Sequence, residues 1–141
     1  VIFGVIFLAV GVAAGADFES GPAGVVLLIL LAGSIALALG CVGMFVAARV
    51  GDSEVMQSTF PLFFMFMFFS SMAMPRPLIE KDWFRTIADV NPISYLLEGI
   101  RGLFIGPIDP GQLATAFAIC AALTAIFLTG AARALGGRLG R

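Results

Sequence analysis

The residues able to do chemistry in this 141-residue chain crowd into one segment. Between positions 76 and 109 it carries Arg76, Glu80, Lys81, Asp82, Arg85, Asp89, Glu98, Arg101 and Asp109, with the run Asn91-Pro92-Ile93-Ser94-Tyr95 inside it. On a helix, Glu98 and Arg101 stand at i, i+3 and can pair across one turn. An exposed pair of this kind contributes well under ~1 kcal/mol, so it sets orientation more than stability. The chemistry on offer is hydrogen bonding and the placing of charge. Catalysis is not: the chain has no histidine, which removes the HExxH zinc motif and any Ser/His pair. Cys41 and Cys120 each sit alone in an uncharged run, outside any CxxC or metal-ligand spacing, and read as small buried apolar residues. We therefore expect no catalytic residue, no metal, no cofactor bound by this chain and no nucleic-acid partner. A GxxxxGK[ST] phosphate loop is also absent, so any movement driven by ATP draws its energy from another subunit.

The elements that must position this segment are set by composition. Apolar residues make up 60% of the chain, charged residues 12%, and the mean hydropathy is +1.07, against about 45–50% and about 25% in soluble domains. This is the composition of an integral membrane protein. Four charge-free runs predict transmembrane helices over about 1–16, 22–48, 57–75 and 111–132, with a non-spanning segment at 76–106. The first run would rise only roughly 24 Å as a helix, short of a ~30 Å hydrocarbon core, so an upstream part is expected. None of the runs holds an Asp, Glu, Lys, Arg or His, which argues against an ion-coupled transporter or pump. Neither a carbonyl-filter motif nor a charged ring suggests a channel.

Orientation follows from Arg133, Arg138 and Arg141, which crowd the C-terminal tail and place it in the cytoplasm. The 49–56 loop is then cytoplasmic too, and 17–21 and 76–109 lie outside. Small residues recur at four-residue steps at Gly11/Gly15, Ala32/Ala36/Gly40 and Ala114/Ala118/Ala122, a spacing that lets helices approach closely.

Within the outer segment, Ile93, Leu96, Leu97, Ile100, Leu103 and Phe104 follow a helical rhythm, with Ser94, Glu98 and Arg101 on the other face. Asn91 is a good N-cap and Pro92 suits the first helical position. A helix from Pro92 to Ile105 is roughly 21 Å long, too short to span. Such an amphipathic helix between two spans points to a device at the mouth of a transport path, with Tyr95 and Glu98 expected to be accessible from outside. Trp83 and Phe84, with Ile87 and Ala88, form a smaller amphipathic patch with an interfacial Trp anchor. The 57–75 run is rich in Phe and Met, an adaptable lining for a hydrophobic path. Phe60, Phe64, Met67 and Ser71 share one candidate lining face; Phe63, Met67 and Ser70 form the alternative.

In this order, the Gly51-Asp52-Ser53-Glu54 loop, the Phe-rich run, Trp83-Phe84-Arg85 and the Asn91-Pro92-x-x-Tyr95…Glu98-x-x-Arg101 block, the chain resembles the C-terminal two-thirds of an ABC type 2 exporter permease. That group includes daunorubicin-resistance and lipo-oligosaccharide export permeases. The likeness covers nearly the whole chain, and the block from Asn91 to Arg101 is its most specific part. It implies an all-α integral membrane fold of six spans, of which these four are the third to sixth, with short re-entrant helices before the last. It implies a plasma-membrane permease that moves a lipophilic or amphipathic substrate, a drug or a lipid-linked molecule, out of the cytoplasm by alternating access. The partners implied are a second permease copy, in a homo- or heterodimer, membrane lipid, and ABC ATPase subunits that bind ATP and Mg. Carried over residue by residue, Asn91, Pro92, Tyr95, Glu98 and Arg101 become outer-gate residues, and Arg49, Asp52 and Glu54 face the ATPase. The rival reading is a membrane assembly or scaffold protein with no transport path.

Overall fold

The computed structural model describes residues 6, 10, 21–51, 61, 64–70, 78, 80–105 and 107–139. Most of the 1–16 run, most of the 57–75 run, the Gly11/Gly15 pair, Phe60, Phe63, Ser71, Asp52 and Glu54 lie outside the described residues.

Five helical segments and no strand occur among the described residues. We number them α1 (Gly21–Val50), α2 (residues 64–68), α3 (Asp82–Val90), α4 (Pro92–Ile105) and α5 (Pro110–Leu139). The two long helices match the 22–48 and 111–132 runs, and α5 continues through the Arg-bearing tail. Both are long and apolar enough to cross a membrane, and only 22% and 11% of their most apolar windows are buried. The core helix of a soluble protein would be covered; these present their side chains outward, as lipid-facing helices do. Their exposed hydroxyls turn back onto their own helices: Ser34 donates to Leu30 O at 2.8 Å, Thr115 to Gly111 O at 2.8 Å and Thr129 to Ala125 O at 2.7 Å. That leaves few polar groups facing hydrocarbon.

The ends of these helices are written locally. Asp109 precedes Pro110, and a residue before proline is pushed out of the helical region. Asp109 Oδ1 then accepts from the Gly111 and Gln112 N–H groups at 2.8 and 3.2 Å, capping α5. At the other end of α1, Gly51 takes φ 72 and its N–H donates to Ala47 O at 3.0 Å, the left-handed stop that glycine adopts without strain.

α1 and α5 run parallel. Leu31 and Ala116 meet near one end, where both approach Gly99, and Phe45 packs edge-on against Phe127 near the other, with ring centroids 5.5 Å apart. Buried Leu28, Leu31, Ala38 and Ala48 on α1, and Ala116, Cys120 and Ala131 on α5, mark the seam. With half-buried Ile35 and Leu123 between them, the steps alternate near three and four, the period that keeps two helices facing each other along their length. The four-residue stripes do not serve here: Ala36, Gly40, Ala114, Ala118 and Ala122 are all exposed. A strict four-step row drifts around a 3.6-residue helix, so it leaves a long seam that a mixed row can follow.

Parallel spans also constrain topology. Gly21 and Pro110 lie at one end and Val50 at the other, so the chain from 51 to 109 makes one net crossing. With the 57–75 run supplying that crossing, as its composition predicts, the helical hairpin α3–α4 enters and returns on one side.

Candidate functional site

The hairpin turns on a single residue. Pro92 disfavours helical backbone at Asn91, and Asn91 is extended at φ −77, ψ 116, breaking one amphipathic stretch into α3 and α4. Four groups of Asn91 are then occupied. Its N–H donates to Ile87 O at 3.1 Å and its carbonyl accepts from the Ser94 N–H at 3.1 Å. Its Oδ1 accepts from the Ile93 N–H at 3.0 Å, the N-cap of α4. Its Nδ2 donates to Phe66 O at 2.7 Å, on α2. The amide orientation follows from its neighbours, because an N–H requires the oxygen and a carbonyl requires the nitrogen.

Phe66 needs that donor. In a continuing helix its carbonyl would accept from the Ser70 N–H, but that group donates to Met67 O at 3.2 Å instead, tightening the last turn. Ser70 Oγ also donates to Met67 O. Asn91 therefore caps the start of α4 and the end of α2 at once. Tyr95 fastens the hairpin from the other side: its hydroxyl donates to Asp89 O at 2.8 Å, serving a carbonyl in the last turn of α3.

α4 has the length expected of it, and its faces are arranged for the interior of a membrane protein. Ser94 and Glu98 are buried with Leu96, Gly99 and Leu103, whereas Phe104 is 39% and Ile105 70% exposed. Glu98, at 9% exposure, is a buried side chain and not one presented to water. Arg101 is half-buried, with Nη1 fully covered. Glu98 and Arg101 thus turn toward protein, as expected of ionisable residues at membrane depth, while Leu96 and Leu103 on the other face are buried too.

Gly99 lets α4 sit deep between α1 and α5: a Cβ there would lie 2.9 Å from Ala116 Cβ and 3.3 Å from Leu31 Cδ2. At Gly102 a Cβ would meet Gln112 Oε1. Advancing along α4 from Gly99 to Gly102 means moving back along α5 from Ala116 to Gln112, so these two helices are antiparallel. Ile105 ends beside the start of α5, and Asn91 lies up to roughly 16 Å farther in than Gly102, at 1.5 Å per residue.

Between α2 and the hairpin lies an apolar groove of about 450 Å³, lined by Met65, Phe66, Phe69, Thr86, Ile87, Val90, Asn91 and Pro92. Phe69 packs on Phe84 at 6.3 Å and Phe84 on Trp83 at 5.6 Å, carrying the aromatic surface along α3. Trp83 itself is 61% exposed, which suits an interfacial side chain. Of the sequence-derived lining faces, Phe64 is exposed, Met67 half-buried and Ser70 buried. Met65, Phe66 and Phe69, which sequence reasoning did not single out, are the residues α2 turns toward the hairpin. Arg49 lies far from all of this, at the end of α1, with its guanidinium 5.4 Å from the Phe45 ring centroid.

The structure thus brings Asn91, Pro92, Tyr95, Glu98 and Arg101 together on one hairpin and leaves Arg49 at the opposite end of the long helices. Among the described residues no cluster of His, Cys, Asp or Glu is arranged to hold a metal. In comparisons with known proteins, the family model for ABC-2 type transporters matches residues 1–105. No curated protein and no solved structure gives a significant match. The matched stretch takes in α1, α2 and the whole hairpin, stopping at Ile105, the last residue of α4.

Proposed function

The chain belongs to the ABC-2 type transporter family, and from that premise we propose that it is an exporter permease whose α3–α4 hairpin forms the outer gate. As an ABC-2 membrane domain it is a non-catalytic transporter subunit, and permeases of this family work with ABC ATPase subunits. ATP and Mg belong to that partner. The substrate class we assign is lipophilic or amphipathic, a drug or lipid-linked molecule, and a second permease copy completes the path. The Arg-rich tail puts the C-terminus in the cytoplasm of a plasma-membrane protein, which puts the hairpin at the outer face.

The observation that carries this reading is the hairpin itself. It is non-spanning, lies between two spans, seats Gly99 against Leu31 and Ala116, and buries Ser94 and Glu98 as well while exposing Phe104 and Ile105. A peripheral anchor would bury its apolar side in lipid headgroups and leave its polar side in water. This one keeps polar groups within the protein, at the position where a path between α1 and α5 would open. Alternating access then requires the hairpin to move relative to those two helices.

The test is reconstitution of the full-length permease with its ATPase in proteoliposomes, reading ATP-dependent movement of a lipophilic cationic dye alongside dye-stimulated ATP hydrolysis. Export with stimulated hydrolysis is the expected result. Stable co-assembly without either activity, across a panel of lipophilic and lipid-linked probes, would favour the scaffold reading instead.

A further inference from the structure

Resting on the gate reading, we propose that the Asn91 side chain is a latch that couples α2 to the hairpin, and that gating breaks its bond to Phe66. The argument begins with unequal demand. Oδ1 of Asn91 serves α4, its own helix, and stays satisfied however the hairpin moves as a body. Nδ2 serves α2 across a separation of 25 residues in sequence. Beside that bond, α2 and the hairpin meet in apolar contact across the groove between Phe66, Phe69 and the α3–α4 turn. Apolar contact tolerates sliding, whereas a hydrogen bond to a carbonyl has a fixed place and direction. The latch therefore sets the register between α2 and the hairpin, and its release frees the groove to widen.

Ser70 prepares the acceptor. By drawing its own N–H to Met67 O, it leaves the Phe66 carbonyl available to Asn91 in the closed arrangement. When the latch opens, the same N–H can return to Phe66 O by relaxing the last turn of α2 from a three-residue to a four-residue bond. The carbonyl thus exchanges one donor for another instead of being left bare in an apolar setting. This makes Asn91 a positioning residue for gating, with Ser70 its exchange partner.

The experiment separates the latch from the cap. Asn91→Asp keeps an oxygen for the Ile93 N–H, because Asp is as good an N-cap as Asn, but it has no donor for Phe66 O. Spin labels are placed at exposed Phe68 on α2 and exposed Val90 at the hairpin tip in the full-length permease with its ATPase, and distances are measured by pulsed electron resonance without nucleotide. Transport and ATP hydrolysis are measured on the unlabelled Asn91→Asp protein. We expect one narrow distance in the parent and a second, longer one in the variant. The ratio of detached to latched hairpins should rise roughly 5- to 100-fold, the usual consequence of leaving a buried carbonyl unpaired. ATP hydrolyzed per molecule exported should rise with it. A variant distance distribution identical to the parent's overturns the latch, whatever happens to transport. A detached hairpin with unchanged export leaves the latch standing and sinks the gate reading. Should Asn91→Asp fail to accumulate, Asn91→Ser, which retains the cap without charge or reach, is scored by the same two criteria.

Discussion

Gly99 offers the sharpest perturbation of the hairpin's seat. A methyl group there would lie 2.9 Å from Ala116 Cβ and 3.3 Å from Leu31 Cδ2, against about 3.5–4.0 Å for a relaxed carbon–carbon contact. Ala116 is fully buried and its Cβ is fixed to the α5 backbone, so no rotamer relieves the first clash. Leu31 is fully buried as well and has little room to turn. Relief therefore requires α4 to lift off α5 by roughly 1 Å. Overpacking of this kind costs about 1–3 kcal/mol, and the helix propensity gained by replacing Gly with Ala returns up to about 1 kcal/mol. Gly99→Ala should then destabilise the assembled protein by about 1–2 kcal/mol, a five- to thirty-fold loss in the folded-to-unfolded ratio. The assay is denaturant titration of full-length protein in mixed micelles, run as a double-mutant cycle with Ala116→Gly. Removing the Ala116 methyl should recover part of the loss and give a coupling of at least about 0.5 kcal/mol. Gly102→Ala is the control, since its methyl meets only the far end of the Gln112 side chain, which can swing aside. Parent-like stability of Gly99→Ala, or strict additivity with Ala116→Gly, would refute the packing account.

Three further outcomes follow from the same geometry. Tyr95→Phe removes the hydroxyl that donates to Asp89 O at 2.8 Å and should loosen the hairpin by about 0.5–1.5 kcal/mol, seen as faster hydrogen exchange in the last turn of α3 while α5 is unchanged. Gly130→Ala would put a methyl 2.8 Å from Phe45 Cε2 and tilt that ring off Phe127; it should destabilise the α1–α5 seam, and Phe45→Leu should suppress the effect. Single cysteines at exposed Pro22 and Pro107 should react with an impermeant maleimide from one side of the membrane and a cysteine at exposed Gly51 from the other, as parallel α1 and α5 require; labelling of Pro22 and Gly51 from the same side would contradict the topology.

Much of the architecture could be read from local signals. The Asn91-Pro92 step predicted both the break and the cap, because proline restricts its predecessor and asparagine serves the first turn. The charge-free runs predicted α1 and α5 from composition alone. The facing of α4 was not legible. An amphipathic pattern says that two faces differ, not that one of them meets water, and here Ser94 and Glu98 on one face and Leu96 and Leu103 on the other are all buried. Glu98 therefore looked accessible and is buried. The small-residue stripes misled for a related reason, since the Ala36 and Gly40 rows are defined within one helix and the seam is defined by two. Gly99 and Gly102 gave a signal that went unused: two glycines inside a helix weaken it unless something approaches closely. That α2 turns Met65, Phe66 and Phe69 toward the hairpin depends on a contact 25 residues away, which helical spacing cannot supply.

The distribution of polar groups also limits how the proposed gate can be driven. Residues 21–48 and 110–132 contain no Asp, Glu, Lys, Arg or His, so the apolar stretches of α1 and α5 offer the membrane potential or a coupled ion no charged side chain to act on. In the gate we propose, force would reach the hairpin through packing, at the point where Gly99 seats α4 against Leu31 and Ala116. Inside the hairpin, Asn91 and Tyr95 tie α3 to α4 by hydrogen bonds, each contributing about 0.5–1.5 kcal/mol, whereas sliding along an apolar contact breaks no such bond. On the gate we propose, a displacement passed from α1 or α5 moves α3 and α4 together, and the bond from Asn91 to Phe66 is one it has to break.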